Sequence, residues 1–317
     1  MAYYIGIDIG GTNIACGIVN DNCEIIARAK VKTNLPRPYT EILEDIKQSV
    51  RLACEEAGIA PAEAECIGIG CPGTCNQSSG VVEYSNNLGF DNVPLRPDME
   101  KEFGVKVYLD NDANAAAFGE FAAGSARGSR NAVVITLGTG VGSGIIVDGK
   151  IYSGSNFAGG EIGHTVIEVD GRPCTCGRKG CFEAYSSATG LVKMTCEAAE
   201  AHPESLVARL IAEDGRASAR TAYKAMKQGD PVGTEVTEKY VKYLACGITN
   251  TINTFQPDIL CIGGGVCNEG DTLLVPLKKA VSEQIYSKNS AKNTEIVICS
   301  LGNDAGIIGA AMLYRSC

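Results

Sequence analysis

Histidine is scarce, with two residues in a chain of 317, and no stretch approaches the ~18 consecutive apolar residues that a membrane span requires. Positive charge is not in excess either. The 28 Lys and Arg are outnumbered by 37 Asp and Glu, giving a net charge of −9. Contacts to a phosphate backbone need clustered Lys and Arg, so nucleic acid is not expected as the main partner. No basic segment leading into an apolar one stands before the strand-like run that begins at Tyr3, so a cytoplasmic protein without a membrane partner is expected. Two common nucleotide-binding signatures are also missing. No glycine turn ends in Gly-Lys-Ser/Thr, as a P-loop does, and none has the Rossmann spacing.

What is present describes a globular α/β protein with room for two cores: the apolar fraction is 45%. Most of the 15 cysteines, such as Cys16, Cys54, Cys66, Cys246 and Cys261, sit singly inside apolar strand or helix patterns. Without a secretion signal they read as buried reduced thiols. Strands are expected at Tyr3 to Ile9, Ile14 to Val19 and Glu24 to Val31, then a helix over Tyr39 to Glu56 and a strand over Cys66 to Cys71. A similar sequence of elements restarts at Asn131 to Leu137 and Ser143 to Val147, followed by an Asp148-Gly149 hairpin turn. Ile5 to Asn20 and Val134 to Asp148 thus share one pattern of strand, glycine turn and strand, which suggests a duplicated architecture with a cleft between two lobes. The later half is mostly helical, over Ala188 to Ala201, Ala217 to Lys227 and Gly233 to Phe255, with strands at Asp258 to Ile262 and Glu295 to Cys299. The first lobe is expected over residues 1–120, with a C-terminal helix (304–317) packing back on it, and the second over 121–303.

Three glycine turns follow strands. Asp8 precedes Gly10-Gly11-Thr12-Asn13, where backbone N–H groups can approach phosphate oxygens with no Cβ in the way. Thr12 adds a hydroxyl, and Asp8 is placed to hold Mg²⁺ through water. Gly138-Thr139-Gly140 offers the same chemistry, and Gly263-Gly264-Gly265 leaves space for a flat adenine against the backbone. Any one such turn is as readily a plain hairpin, but three at strand ends point to phosphate binding.

Cys174-Thr175-Cys176 with Cys181 places three thiols in one tight loop, and His164 lies shortly upstream. Three cysteines and a histidine make a closed tetrahedral zinc set of the structural kind. Such a loop would carry Glu161 and Glu183 toward the cleft, and His164 could ligate through one ring nitrogen while offering the other to a hydroxyl. His202 has no ligand-like neighbours.

Asp110-Asn111-Asp112 ends a strand and enters the alanine-rich helix that begins around Ala113. Asp112 there is either a helix cap or the carboxylate that accepts an acceptor hydroxyl's proton during phosphoryl transfer, with Asp110 as its rival. The amides of Asn87 and Asn111 suit hydroxyl recognition.

Taken together, DIGGTN (Asp8 to Asn13), DNDANAAA (Asp110 to Ala117), LGTGVGSG (Leu137 to Gly144), GGEIGH (Gly159 to His164) and CTCGRKGCFE (Cys174 to Glu183) resemble the ROK family of repressors, open reading frames and kinases. Within that family the chain is most similar to ATP-dependent bacterial glucokinases. The resemblance implies the actin-like, ribonuclease H-like sugar-kinase fold, in which two lobes close over the substrates. It implies Asp112 as the base at the sugar 6-hydroxyl. Asn87, Asn111, Glu161, His164 and Glu183 would hold sugar hydroxyls. Asp8, Gly10, Gly11, Thr12, Asn13, Gly138 and Thr139 would face the ATP phosphates and their Mg²⁺, Gly264 and Gly265 the adenosine. Zinc would sit on His164, Cys174, Cys176 and Cys181, and a homodimer or higher homo-oligomer is expected from relatives. The chain departs from the family pattern at Phe90 and at Asn86, so either Asn86 or Asn87 could face the sugar.

Other readings carry less. A sugar-responsive repressor needs a DNA-binding helix-turn-helix ahead of a strand that here starts at Tyr3. A filament-forming actin relative has no use for a metal loop beside paired carboxylates. N-acetylglucosamine, N-acetylmannosamine, mannose or fructose as acceptor, or polyphosphate as donor, stays within the kinase reading, and no residue of the sequence decides among the sugars.

Overall fold

A computed structural model describes residues 2–316, which pack as two compact units. One holds the residues up to 134, 144–160 and those from 299; the other holds 135–143 and 161–298.

The chain begins with β1 (Tyr3–Ile9), β2 (Asn13–Asn20) and β3 (Ile25–Lys32), an antiparallel meander. α1 (Tyr39–Ala57) then crosses to β4 (Cys66–Cys71), which lies parallel to β1. Ile42, Ile46, Val50 and Ala53 recur at helical spacing along α1, and all four are fully buried against Ile5, Ile7, Ile14, Ile18 and Ile67. A small sheet absent from the sequence-level expectation follows: β5 (Thr74–Asn76), β6 (Val81–Ser85) and β7 (Phe90–Val93). α2 (Leu95–Phe103) leads to β8 (Val107–Asn111), parallel to β4, and α3 (Asp112–Ala122) starts with no intervening loop. The main sheet of this unit has the order β3-β2-β1-β4-β8.

β9 (Ala132–Leu137), β10 (Val141–Val147) and β11 (Lys150–Ile151) come next. Asp148 and Gly149 both have positive φ, 52° and 79°, in the hairpin turn between β10 and β11, as the Asp-Gly signal predicts. After a long segment with little regular structure come α4 (Phe182–Ser186), α5 (Ala188–Ala201), α6 (Leu206–Asp214), α7 (Thr221–Met226) and α8 (Pro231–Phe255). β12 (Ile259–Gly263), α9 (Asp271–Gln284) and β13 (Glu295–Ile298) complete this part. The second sheet has the order β11-β10-β9-β12-β13, the same succession of three consecutive strands and two crossover strands as the first. The internal repeat read from the two glycine-turn segments is therefore a repeat of sheet topology.

Two helices differ in extent from the sequence reading. α7 is shorter because Ser218 and Thr221 pair through their hydroxyls (3.1 Å) and Ser218 accepts the Arg220 N–H, which favours a turn over a helix start. α8 starts earlier, at Pro231, because the Asp230 carboxylate accepts the Gly233 N–H and proline suits the first helical position.

The chain ends in α10 (Ala305–Met312), every residue of which is buried against α3, β1 and β4. It lies backbone to backbone with its neighbours. A Cβ on Gly68 of β4 would run into the Ala310 carbonyl, and one on Gly309 into the Ala115 carbonyl. Glu120 of α3, itself buried, clamps the segment ahead of α10 by accepting the N–H groups of Ser300 (3.2 Å) and Leu301 (2.8 Å). Among the described residues no helix is long and apolar enough to cross a membrane.

Candidate active site

In the first unit the parallel register aligns Asp8 with Gly70 and Gly70 with Asp110, so two carboxylates reach the carboxyl ends of β1 and β8 at one level. Their surroundings separate their roles. Asp110 is buried and saturated: it accepts from Gln77 Nε2 at 2.6 Å, Asn114 Nδ2 at 2.9 Å and the Asn111 N–H at 2.7 Å. Burial pushes its carboxyl up to about 6 against the pull of these donors. Asn111, not Asp112, is the cap of α3. Its Oδ1 accepts the N–H groups of Ala113 (2.8 Å) and Asn114 (3.3 Å), while Nδ2 donates to the Gly73 carbonyl at 3.1 Å.

Asp112 is thereby released from capping. As the first residue of α3 it accepts the Ala113 N–H through Oδ1 at 3.0 Å. Burial raises its pKa, partly offset by its own and the Ala113 backbone N–H and by the Asn111 amide. Asp8 faces it from the end of β1, and burial together with the charge of Asp112 pushes Asp8 up to about 6. The Asp8 carboxylate fits because residue 306 has no side chain: a Cβ there would come 2.6 Å from Asp8 Oδ2.

The Gly10-to-Asn13 turn is closed by Gly10 N–H to the Asn13 carbonyl (2.9 Å) and braced by the Thr33 hydroxyl on the Gly10 carbonyl (2.7 Å), with Gly11 and Thr12 exposed. Asn86 and Asn87 lie in the exposed turn between β6 and β7. Tyr84 donates its hydroxyl to Asn86 Oδ1 at 3.3 Å, which leaves Asn87 the less constrained of the two.

In the second unit, Gly138-Thr139-Gly140 joins β9 to β10 and is closed by Gly138 N–H to the Gly140 carbonyl at 3.0 Å. Gly264, at φ 99°, abuts the backbone of Leu137, so the two glycine turns read from the sequence meet at the end of β9. A Cβ at Gly265 would meet nothing within 4 Å, which leaves open space beside that turn.

His164, Cys174, Cys176 and Cys181 converge, their ligand atoms all within 4.8 Å of one another. Cys174 Sγ lies 3.7 Å from His164 Nδ1, and Cys176 Sγ lies 3.6 Å from Cys181 Sγ. A tetrahedral ion with metal–sulfur bonds of about 2.3 Å sets its ligand atoms about 3.6 to 3.8 Å apart, the spacing of these two pairs, and a three-thiol, one-imidazole donor set suits such an ion. The loop is shaped for it by a turn in which Cys174 N–H donates to the Arg178 carbonyl (2.9 Å) and Gly177 N–H to the Cys174 carbonyl (3.1 Å). The Arg178 N–H lowers the pKa of Cys176, whereas burial pushes Cys181 up to about 12, a trend that a bound dication reverses. With Nδ1 turned to the sulfurs, the Nε2 of His164 points to the far side of the ring. Glu161 precedes this histidine in a short 3₁₀ turn (Ile162–His164), and Glu183 sits in the first turn of α4, two residues beyond Cys181.

Three residues with parts in the site were not anticipated. Asn114 could have been read from its place four residues after Asp110. Gln77 arrives from the β5–β6 turn and Gly306 from α10, and no local pattern announces either.

The fold and these sites define a class, the mixed α/β, two-lobed, actin-like sugar kinases. The ROK family profile matches residues 4–316. The glucokinase of Halalkalibacterium halodurans is 36% identical over 99% of this chain and 95% of its own length. That of Thermotoga maritima is 34% identical over 98% and 96%. A solved ROK family glucokinase from Streptomyces griseus, in complex with glucose and AMPPNP, superposes with a TM-score of 0.81 at 34% identity, covering 98% of this chain and 99% of that one. The chain belongs to the ROK family.

Proposed function

We infer that this protein is an ATP-dependent glucokinase, which transfers the γ-phosphoryl group of ATP to the 6-hydroxyl of glucose and so feeds carbohydrate metabolism. The observation that carries the reading is the pair of differently treated carboxylates on β8 and α3, in a chain similar over its whole length to glucokinases. Asp110 is spent on structure, while Asn111 takes over the cap and leaves Asp112 for chemistry. Phosphoryl transfer asks little covalent work of a protein beyond positioning, charge and a proton acceptor.

In this mechanism Asp112 accepts the proton of the sugar 6-hydroxyl as that oxygen attacks the γ-phosphorus and the bond from the γ-phosphorus to the β–γ bridging oxygen breaks, releasing ADP. Its raised pKa makes it a stronger base than an ordinary aspartate. Asn87, Asn111, Glu161, His164 and Glu183 orient the remaining hydroxyls. The turns at Gly10, Gly11, Thr12 and Asn13 and at Gly138 and Thr139 face the phosphates with the N–H groups not spent on closing them, and the open space at Gly265, beside Gly264 packed on Leu137, leaves room for adenosine. Asp8 would hold Mg²⁺, and that ion would supply positive charge to offset the charge building up on the transferring group. His164, Cys174, Cys176 and Cys181 would hold a structural Zn²⁺, which would cross-link the loop that carries His164 and Glu183.

Product analysis by ³¹P and ¹³C NMR after incubation with ATP, Mg²⁺ and glucose tests this reading. Phosphate on O6, and no turnover of 6-deoxyglucose, is the expected result. Phosphate on O1, or on no sugar at all, would refute it.

A further inference from the structure

β10 begins at Val141, directly after the Gly138–Gly140 turn, and the metal loop grips this first residue from both sides. Glu183 Oε2 accepts the Val141 N–H at 2.9 Å. The Val141 carbonyl oxygen faces Gly163, the residue before His164, so closely that a Cβ there would collide with it. Next to this contact the Ile162 N–H donates to Ser143 Oγ at 3.2 Å. On the turn itself, the carboxylate of Glu183 occupies the place where a Cβ of residue 140 would stand.

The grip is transmitted by short, rigid connections. Cys181 is the N-cap residue of α4, and Glu183 lies in the first turn of that helix. Phe182 between them is fully buried and donates its N–H to the Thr165 carbonyl at 2.8 Å. Once Cys181 is fixed, Glu183 has little freedom. Its other oxygen, Oε1, lies 3.8 Å from Cys174 Sγ, so the carboxylate touches the metal set on one side and the turn on the other.

We propose that Glu183 is a positioning residue for the nucleotide: it couples the metal loop to the Gly138–Gly140 turn, so that the metal set governs affinity for ATP as well as for sugar. The proposal rests on the kinase reading above. A carboxylate that only touches sugar has no effect on nucleotide binding in the absence of sugar, and the test exploits this difference.

The experiment titrates a non-hydrolysable ATP analogue with Mg²⁺ into the metal-loaded protein without sugar, by calorimetry, with metal content measured for each sample. Glu183→Ala is expected to weaken binding about tenfold, the loss of one charge-assisted hydrogen bond at the turn. Glu183→Gln, whose amide oxygen can still accept the Val141 N–H, recovers most of that loss. Gly140→Ala, which displaces the carboxylate with the metal retained, weakens binding as Glu183→Ala does. Hydrogen exchange at the Val141 amide is expected to quicken in Glu183→Ala and to stay slow in Glu183→Gln. Wild-type affinity and unchanged exchange in Glu183→Ala would overturn the proposal. If that variant loses metal or fails to fold, Gly140→Ala decides, and wild-type affinity there would overturn it as well. A wild-type protein that binds no nucleotide would overturn the kinase reading itself.

Discussion

Exchanging each of the two neighbouring aspartates for asparagine should separate chemistry from structure. Asp112→Asn keeps an oxygen to accept the Ala113 N–H, so α3 stays capped by Asn111 and the melting temperature should hardly move. What it loses is the proton acceptor, and a positioned general base contributes about 10² to 10⁴ in rate, or ~3 to 5 kcal/mol of barrier. Asp110→Asn is the converse. Its two carboxylate oxygens receive Gln77 Nε2 on one side and the Asn111 N–H and Asn114 Nδ2 on the other. An amide offers one oxygen, so whichever way it turns, a donor meets a donor. The cost of such a buried mismatch is about 1 to 3 kcal/mol, which should lower Tm by several degrees while kcat falls far less than in Asp112→Asn. Coupled ADP-release kinetics, sugar Kd by calorimetry and thermal melts make the comparison. A near-normal kcat in Asp112→Asn, or abolished turnover confined to Asp110→Asn, would refute the assignment.

The carboxyl of Asp8 has its pKa raised from 3.8 to about 6, so the folded state holds its proton more tightly than the unfolded chain and loses stability as pH rises between those values. Asp8→Asn should therefore be more stable than wild type at pH 7, with the difference gone near about pH 4; denaturant melts across that range check it. The acid limb of kcat/KM should lie above the ordinary aspartate range, because burial raises Asp112; a limb at or below that range would count against Asp112 as the base. Cys176→Ser should lose metal, and the KM for sugar should rise through misplaced His164 and Glu183; unchanged metal content and KM would contradict the account of the loop. Gly309→Ala would drive a methyl group into the Ala115 carbonyl, backbone against backbone, and should cost about 3 kcal/mol in a denaturant melt.

Periodicity and turn chemistry made much of the scaffold legible. The apolar stripe of α1, the strands around each glycine turn and the Asp148-Gly149 hairpin all follow from spacing alone, and the repeated glycine-turn segment announced the duplicated sheet order. The β5–β6–β7 sheet escaped because its strands are three to five residues long and lack clean alternation. The convergence of His164 with the three cysteines was readable because four soft ligands occur within a short span. What sequence could not resolve was the division of labour inside Asp110-Asn111-Asp112. Gln77, which saturates Asp110, lies 33 residues upstream, and the packing of β5 against β8 brings it near. The second contact of Glu183, on Val141, is hidden for the same reason, since 42 residues separate donor and acceptor. Long-range polar pairing leaves no period in a sequence.

The central claim is tested most directly by ADP release with ATP and Mg²⁺ across glucose, mannose, fructose, N-acetylglucosamine and N-acetylmannosamine. The account predicts a kcat/KM clearly highest for glucose. A preference for an N-acetylated sugar would contradict the assigned substrate, and no turnover with any of the five would contradict the assignment as a hexose kinase.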